Sequence, residues 1–303
     1  MHKALMLFIG MFACLAARAE PLPMEEVASG VYVHHGVHED LDHGYHGDIC
    51  NIGFIVGEKG VAIIDSGGSL AVGQRLKEAV RKVTPLPILY VINTHVHPDH
   101  IFGNAAFLAD KPVYVGHANL AKAMELRKDA YLRNNATWLG DAAAGSEIVK
   151  PTQEVSTSLE LDLGGRTLLL NAYPTAHTNT DLTVLDHNTS TLWSGDLLFV
   201  ERTPSIDGDI KGWLSVIEKL RTVSPLHVIP GHGPVVTDWN LALSNEQRYL
   251  ETLLADIRSS IKKGESMEQA MDTAAAVEKE NWILFDIVNR RNVNILYPAL
   301  EWE

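Results

Sequence analysis

Residues 88–104 read ILYVINTHVHPDHIFGN, and this stretch decides how the rest of the chain is interpreted. The apolar, β-branched run 88–92 predicts a buried strand. Directly after it, within six residues, come four side chains that can bind a metal: His95, His97, Asp99 and His100. A strand end is a rigid support, and the loop that follows can turn several side chains toward one point. The sequence therefore predicts a metal site at the end of this strand.

The residue types in this stretch indicate which metals would suit it. His95 and His97 are two positions apart, so in an extended backbone both side chains point to the same side. Imidazole nitrogens combined with a carboxylate are ligands that zinc accepts. The alternative interpretation, a polar surface loop with several histidines, does not account for the buried strand that leads into it. We therefore favour a metal centre.

The composition is that of a soluble globular protein. The chain has 303 residues, of which 46% are hydrophobic and 21% charged, and its formal net charge is −13. This length predicts one large domain or two small ones. Because a nucleic-acid partner requires a basic surface, the acidic balance argues against nucleic acid. The expected partner is a small-molecule substrate.

The first residues are expected to be an export signal and not part of the fold. The apolar stretch 4–17 is short for a membrane span, and Ala17-Arg18-Ala19 fits a signal-peptidase site, which makes 1–19 a signal peptide. A periplasmic or secreted protein, without membrane insertion after cleavage, is the resulting prediction. Lipidation at Cys14 and an uncleaved anchor are the alternatives, and the residues before Cys14 match a lipobox poorly. With Cys14 removed, Cys50 is the only thiol, so no intramolecular disulfide is expected.

Strand and helix patterns alternate along the remaining chain. Apolar runs bounded by turn residues predict strands at 30–35, 50–57, 61–65, 88–92, 112–115, 158–163, 166–171, 181–186, 191–195 and 226–230. Helical spacing predicts helices at 70–83, 118–135 and 211–223, a short helix at 103–109 and a mostly helical segment at about 240–301. The stretch 138–152 is expected to be a surface loop. Because no internal linker is present, the pattern predicts a single layered α/β domain over 20–303.

Three further candidate ligands follow predicted strands. His177 comes after strand 166–171, Asp196 after strand 191–195 and His232 after strand 226–230, the last two beside glycines. Taken singly, each has an ordinary interpretation as a turn or surface residue. Four ligand-bearing segments that all follow strands are more simply explained by one shared site.

These residues, in this order, resemble the signature of the metallo-β-lactamase superfamily. The resemblance rests on His95-x-His97-x-Asp99-His100 followed by His177, Asp196 and His232, and it extends over nearly all of 27–240. It implies an αββα sandwich with two zinc ions at one rim. The implied ligands are His95, His97 and His177 for one ion and Asp99, His100 and His232 for the other, with Asp196 bridging the two.

Within that superfamily the chain resembles secreted members. The segment 177–184 and the run into Asp196 look like class B β-lactamases, but the first subclass of those enzymes has cysteine at the position of Asp196 and lysine at that of Phe199. Both departures argue against β-lactam hydrolysis. The segments 46–54, 198–204 and 211–214 look closer to the quinoprotein-relay zinc metallohydrolases and a related Sox-cluster hydrolase. That likeness implies a quinoprotein dehydrogenase system as the partner.

The implied chemistry is hydrolysis of a small ester, thioester, lactone or related bond. Two zinc ions sharing a water would lower its pKa toward about 7, and the resulting hydroxide would be the nucleophile. Asp99 would both bind metal and orient that hydroxide. Asp65 is the candidate for a carboxylate behind a ligand histidine, with a strand-end turn acid as the alternative. Arg202 is a candidate for binding an anionic substrate group, with a packing role as the alternative.

The histidine-rich segment 34–46 has three interpretations. It is a lid that brings His38 or His46 to the substrate, a solvated tract that captures metal loosely, or a loop without such a role. The resemblance favours the lid.

Three other functions compete with the zinc hydrolase. They are a β-lactamase with an unusual ligand set, a non-catalytic metal-binding accessory protein, and a persulfide dioxygenase that uses one iron.

Overall fold

Two β-sheets face each other, and helices cover both outer surfaces. The computed structural model describes residues 19–42 and 44–303 of the chain. Residues 1–18, which hold most of the predicted signal peptide and Cys14, lie outside the described residues, as does His43. The layer order is helix, sheet, sheet, helix, so the predicted single-domain αββα sandwich is confirmed.

The first sheet has seven strands in chain order. They are β1 (Glu25–Ala28), β2 (Val31–His34), β3 (Ile52–Val56), β4 (Val61–Ile64), β5 (Ile88–Ile92), β6 (Val113–His117) and β7 (Gln153–Val155). Strands β1 to β4 pair antiparallel, whereas β4 to β7 are parallel neighbours. Because β4 and β5 run in the same direction, the residues that follow them emerge at the same edge of the sheet.

The second sheet has five strands. They are β8 (Ser158–Asp162), β9 (Thr167–Ala172), β10 (Leu182–Asp186), β11 (Thr191–Phe199) and β12 (His227–His232), and their spatial order is β12-β11-β10-β9-β8. Strands β11 and β12 are parallel, and the others pair antiparallel. The parallel pair brings the ends of β11 and β12 to one edge.

The helices lie outside the sheets or at their ends. They are α1 (Leu70–Val83), α2 (Pro98–Ile101), α3 (Leu120–Leu139), α4 (Ile210–Leu220), α5 (Trp239–Lys263), α6 (Met267–Thr273) and α7 (Phe285–Leu300), with 3-10 helices at Phe102–Asp110, Gly140–Ala143 and Ala276–Asn281. None of the helices in the described ranges is long and apolar enough to cross a bilayer.

Helix α1 illustrates how the sequence sets an element. The Ser69 side chain accepts a hydrogen bond from Val72 N and so satisfies one of the free backbone donors at the start of the helix. Leu76, Ala79 and Val80 recur at helical spacing and are buried against the first sheet. The helix ends at Val83, with Thr84 as its C-cap, just before the segment that leads into β5.

Three apolar cores hold the layers together. The middle core lies between the sheets and contains residues of both, such as Ile92, Leu170 and Trp193. One outer core packs α1 on the first sheet, and the other packs α4, α5 and α7 on the second. Burial on both faces explains why the central strands read as continuous apolar runs.

Several elements differ from the prediction. The edge strands β1 and β7 were not expected, because their sequences EEVA and QEV are polar and short. Helix α3 continues to Leu139, so Trp138 is helical and not part of a loop. Strands β11 and β12 are longer than predicted, so Asp196 lies within β11 and His232 is the last residue of β12.

Candidate metal centre

Strand direction brings the predicted ligands to one rim of the sandwich. The segment 95–100 follows β5, and Asp65 follows its parallel neighbour β4. Asp196 and His232 lie near the ends of the parallel strands β11 and β12 in the other sheet. His177 lies in the loop between β9 and β10. The crevice outside the carboxyl ends of parallel strands is where open α/β sheets usually bind ligands.

Asp196 is at the centre of the cluster. Its Oδ2 lies 3.5 Å from His95 Nε2, 3.2 Å from His177 Nε2 and 3.3 Å from His232 Nε2. Its Oδ1 lies 3.2 Å from His100 Nε2. One carboxylate therefore faces four imidazoles, two from each half of the chain.

The side chains fall into two groups that share Asp196. One group is His95, His97, His177 and Asp196, and the other is His100, Asp196 and His232; in each, the ligand atoms lie within 4.8 Å of one another. Asp99 adjoins the second group, with its Oδ2 3.4 Å from His100 Nε2 and 3.5 Å from His232 Nε2. Each group is a set of ligand atoms that could hold a metal ion, and Asp196 belongs to both.

The cluster fits a metal because it leaves buried polar atoms without partners. His95 Nε2, His100 Nε2 and Asp196 Oδ1 are buried and have no hydrogen-bond partner among the described residues. Such atoms are costly unless something satisfies them. Burial, reinforced by His100, holds the pKa of His95 well below its usual value.

Asp196 is the anionic member of this arrangement. Burial alone would raise its pKa, but His232, His100 and the other rings outweigh burial and hold the pKa well below its usual range. The carboxylate therefore stays ionised. Nitrogen and carboxylate donors of this kind suit zinc or iron.

Each candidate ligand histidine is held by its second ring nitrogen. Four of them direct Nε2 into the cluster, and Nδ1 lies near an outer partner: Thr94 Oγ1 for His95 (3.0 Å), Asp65 Oδ2 for His100 (2.8 Å), Ser205 O for His177 (2.7 Å) and Ile49 O for His232 (2.7 Å). Outer partners of this kind fix the orientation of metal-binding rings.

Asp65 occupies the position behind a ligand that the sequence suggested. In addition to its contact with His100 Nδ1, the Asp65 carboxylate accepts hydrogen bonds from Thr94 N at 2.8 Å and from Thr94 Oγ1 at 2.7 Å. Through Thr94 it also supports His95. One buried carboxylate therefore orients two of the rings.

Three residues near the centre were missed from the sequence. Asp207 Oδ2 lies 3.1 Å from His97 Nε2 and accepts a hydrogen bond from Arg127 Nη2 at 2.9 Å. The Cys50 thiol donates to the Asp99 carbonyl at 2.9 Å, and burial raises its pKa to about 12. None of these residues belongs to the ligand motif, and only folding brings them to the site.

An open pocket leads to the cluster. Its cavity volume is about 500 Å³, and His97, Asp99, Asp196 and His232 form part of its lining. The remaining wall combines two arginines and Asp207 with apolar and aromatic side chains. The latter include Leu41, Ile49, Tyr131, Trp138, Phe199 and Ile295. The pocket is large enough for a small molecule with polar and apolar parts.

Arg202, the candidate for binding an anionic substrate group, lies in the wall of this pocket. It is only 6% exposed, and Nη1 donates to Glu39 O at 2.8 Å. No carboxylate forms an ion pair with it within the described part of the chain, and burial lowers the pKa of its guanidinium. The carboxylates of Asp99, Asp196 and Asp40 oppose this lowering, which places the guanidinium within electrostatic reach of the ligand cluster.

The histidine-rich segment 34–46 contributes an apolar residue to the pocket. Leu41 lines it, as does Ile49 just after the segment, whereas neither His38 nor His46 is among the lining residues. The His38 Nε2 atom lies 3.8 Å from a Glu201 carboxylate oxygen. The His46 side chain is 74% exposed, and its Nδ1 lies 3.0 Å from Glu39. The loop therefore lies at the site, with these two histidines turned to acidic residues.

Comparisons with known proteins agree with this geometry. Residues 45–232 match the family model described as the metallo-beta-lactamase superfamily. A segment of 62 residues is 34% identical to a linear primary-alkylsulfatase of a Pseudomonas species. The matched segment makes up 20% of this chain and 12% of that protein.

Solved structures share the fold at low sequence identity. The sec-alkylsulfatase Pisa1 from Pseudomonas sp. superposes with a TM-score of 0.70 at 15% identity, over 92% of this chain and 50% of that one. A metallo-beta-lactamase from Pontibacter korlensis superposes with a TM-score of 0.59 at 20% identity, over 76% of this chain and 99% of that one. The chain thus spans about half the length of the solved alkylsulfatase.

Proposed function

The chain belongs to the metallo-beta-lactamase superfamily, and from that membership we propose that it is a dinuclear zinc hydrolase that cleaves a small ester, thioester, lactone or related bond. The observation that carries the proposal is the set of buried ligand atoms around Asp196 that lack hydrogen-bond partners. His95, His97 and His177 would hold one ion, and Asp99, His100 and His232 the other, with Asp196 between them. The ions would supply Lewis-acid activation of water and of the scissile bond.

The chain's own residues perform the remaining tasks. Asp99 lines the pocket, and its carboxylate would orient the attacking water or hydroxide. Arg202 binds a negative group of the substrate, because its guanidinium is buried and has no paired carboxylate in the described structure. Leu41, Trp138 and Ile295 contact an apolar part of the substrate. The resulting substrate has an anionic group and an apolar body.

A sulfate ester is one substrate of this description. The similarity to alkylsulfatases in sequence and in fold supports testing it, alongside carboxylic esters, thioesters and lactones. A β-lactam is the second candidate, supported by the fold shared with solved β-lactamases. Phe199 argues against a β-lactam, because the first subclass of class B β-lactamases has a lysine at this position. Here the Phe199 ring stacks on the His232 ring, with 5.0 Å between the ring centroids.

Metal analysis combined with a substrate panel tests the proposal. Purified mature protein should hold close to two zinc ions per chain and turn over one class among a carboxylic ester, a thioester, a lactone, an alkyl sulfate and nitrocefin. Replacing His97 or Asp196 by alanine should lower bound zinc and remove most activity. His187→Ala is the control, since His187 lies in the turn after β10 and outside both ligand groups.

Other outcomes would replace the proposal. One iron per chain without hydrolysis would favour the persulfide dioxygenase reading. Tight zinc binding without turnover on any substrate class would favour a metal-binding accessory protein. Wild-type zinc content and turnover in both alanine variants would refute the ligand assignment.

We also propose that the protein acts after export, beside a quinoprotein dehydrogenase system. The signal-like residues 1–19 and the resemblance of 46–54 and 198–204 to quinoprotein-relay hydrolases support this. Fractionation of the native host should place the mature chain in the periplasm, starting at Glu20. Cytoplasmic recovery of the full-length chain would contradict the location.

A further inference from the structure

His97 is held differently from the other candidate ligand histidines. Those four present Nε2 to the cluster and are held at Nδ1. His97 is reversed: its Nδ1 lies 3.0 Å from His177 Nε2, and its Nε2 faces Asp207. It is also the least enclosed, with 17% of its side chain exposed against at most 4% for the others. The orientation of the His97 ring therefore depends more on its hydrogen bond to Asp207 than the other four rings depend on their Nδ1 partners.

That hydrogen bond ends on a carboxylate that is itself held by one arginine. Asp207 Oδ2 lies 3.1 Å from His97 Nε2, and the same oxygen accepts from Arg127 Nη2 at 2.9 Å. The Asp207 side chain is 36% exposed in the pocket wall. Without a second donor, a carboxylate at this exposure could rotate toward water. Arg127 opposes this rotation from α3, a helix that carries none of the candidate ligands.

We propose that Arg127 is a positioning residue of the metal centre: it fixes the Asp207 carboxylate and, through it, the His97 ring with Nδ1 toward the ligand cluster. The inference rests on the proposed function, which makes His97 a metal ligand. A loosened ring could turn over and present carbon instead of Nδ1. Partners behind ligand histidines are typically worth about 10–100-fold in metal affinity.

Arg127 also lines the pocket, so a direct role in substrate binding is the competing explanation. Measurements without substrate separate the two roles. We would determine metal affinity by chelator competition and record the visible spectrum of the cobalt-substituted protein for wild type, Arg127→Met, Arg127→Lys and Asp207→Asn. Arg133→Met is the matched control, an exposed arginine on the same helix outside the pocket lining.

Arg127→Met should lower metal affinity about 10–100-fold and alter the cobalt spectrum. Arg127→Lys keeps the charge and should recover part of the affinity, while Arg133→Met should match wild type. Because Arg127 acts through Asp207, the double variant Arg127→Met/Asp207→Asn should bind metal no more weakly than Asp207→Asn alone.

Wild-type affinity and an unchanged spectrum in Arg127→Met would overturn the inference, even if KM rose. Additive losses in the double variant would also overturn it, since they mean that Arg127 acts independently of Asp207. A wild type that binds metal but hydrolyses nothing would refute the proposed hydrolase while leaving this inference testable by the same affinities. A wild type that binds no metal would overturn both.

Discussion

Single residues control how closely neighbouring strands approach at the candidate metal centre. Gly231 lies in β12 beside Asp196, and a Cβ atom built on it would be 1.8 Å from Asp196 Oδ1 and 2.9 Å from Asp196 N. Only a residue without a side chain fits there. The glycine before His232 is thus required by the carboxylate at the centre of the cluster.

Gly231→Ala should therefore displace the Asp196 carboxylate. We expect metal content to fall below two per chain and activity to fall at least about tenfold, because the shared ligand moves. Metal analysis and kinetics on the folded variant test this. Gly264→Ala is the control: it strains a backbone φ of 72° but meets no atom within 4 Å, so it should lower stability without changing metal content. Wild-type metal content in Gly231→Ala would contradict the prediction.

Asp65 is a second residue whose effect should appear in metal binding. Its carboxylate supports His100 directly and His95 through Thr94. Asp65→Asn should reduce metal affinity by about 10–100-fold, because an amide has one acceptor oxygen and Asp65 uses both of its oxygens to hold Thr94 and His100. Chelator competition measures this. An unchanged affinity would show that the two rings are held by packing alone.

His34 at the start of the histidine-rich loop should make stability depend on pH. Its Nε2 lies 2.8 Å from Asp48 Oδ1, and its Nδ1 lies 2.9 Å from Pro23 O. Burial alone would lower its pKa, but Asp48 and the Pro23 carbonyl outweigh burial and raise the pKa above the usual value. A raised pKa in the folded state stabilises the fold fully below about pH 6.5, and this contribution is lost as pH rises through the folded-state pKa.

His34→Gln should therefore reduce the free energy of unfolding more at pH 5.5 than at pH 9. Urea denaturation at the two pH values measures the difference. His35→Gln serves as the comparison, because His35 pairs with Glu25 on the surface, where both side chains are exposed. Equal losses at both pH values in His34→Gln would contradict the assignment.

At the scale of elements, a buried ion pair fastens the edge of the sandwich opposite the metal centre. Arg166 precedes β9 and donates to Asp186, at the end of β10, through Nε at 3.0 Å and Nη2 at 2.6 Å. Its Nη1 donates to Val56 O of β3 at 2.8 Å. One guanidinium thus links the two sheets.

Asp186→Ala should destabilise the protein by about 3–5 kcal/mol, because it leaves the Arg166 charge buried and unpaired. Metal content should stay at the wild-type level, since the pair lies at the other edge. Denaturant titration and metal analysis test both parts. Lys59→Met, which breaks the exposed pair between Lys59 and Asp162, should change stability little. A loss in Asp186→Ala as small as that of Lys59→Met would refute the bridging role.

Element boundaries show where sequence patterns were sufficient. The strands β3, β4, β5 and β9 agree with the apolar runs within two residues, since their burial leaves a strong local signal. The extension of β11 was missed because its register is irregular around Gly195, whose φ is 52°. That irregularity depends on pairing with β12, which no local pattern in β11 reports.

At the scale of the whole molecule, the metal centre joins both halves of the sandwich. Ligand candidates come from the end of β5 in one sheet and from β11 and β12 in the other. An ion bound by both halves binds only the folded state, so it should stabilise the entire domain.

Metal addition should therefore raise the melting temperature of the metal-free protein. At about 100 times Kd the stabilisation is about 2.7 kcal/mol, which corresponds to a Tm increase of about 4–5 °C for a domain of this size. Differential scanning fluorimetry across a zinc titration measures it. The Asp196→Ala variant should lose most of the shift. An equal shift in that variant would mean that zinc acts at the surface histidines.

The sequence by itself was enough to propose the candidate ligands and, through the resemblance to the metallo-β-lactamase superfamily, the αββα fold. Ligand type, the buried strand before the motif and the order of His177, Asp196 and His232 are all readable along the chain, because burial and coordination chemistry restrict residue type locally. Only the tertiary structure decided the surroundings: Asp207 meets His97 across 110 positions and Arg127 across 80. Such contacts depend on which loop and helix the packed layers bring together. No local pattern in the sequence indicates which residues so far apart along the chain will meet.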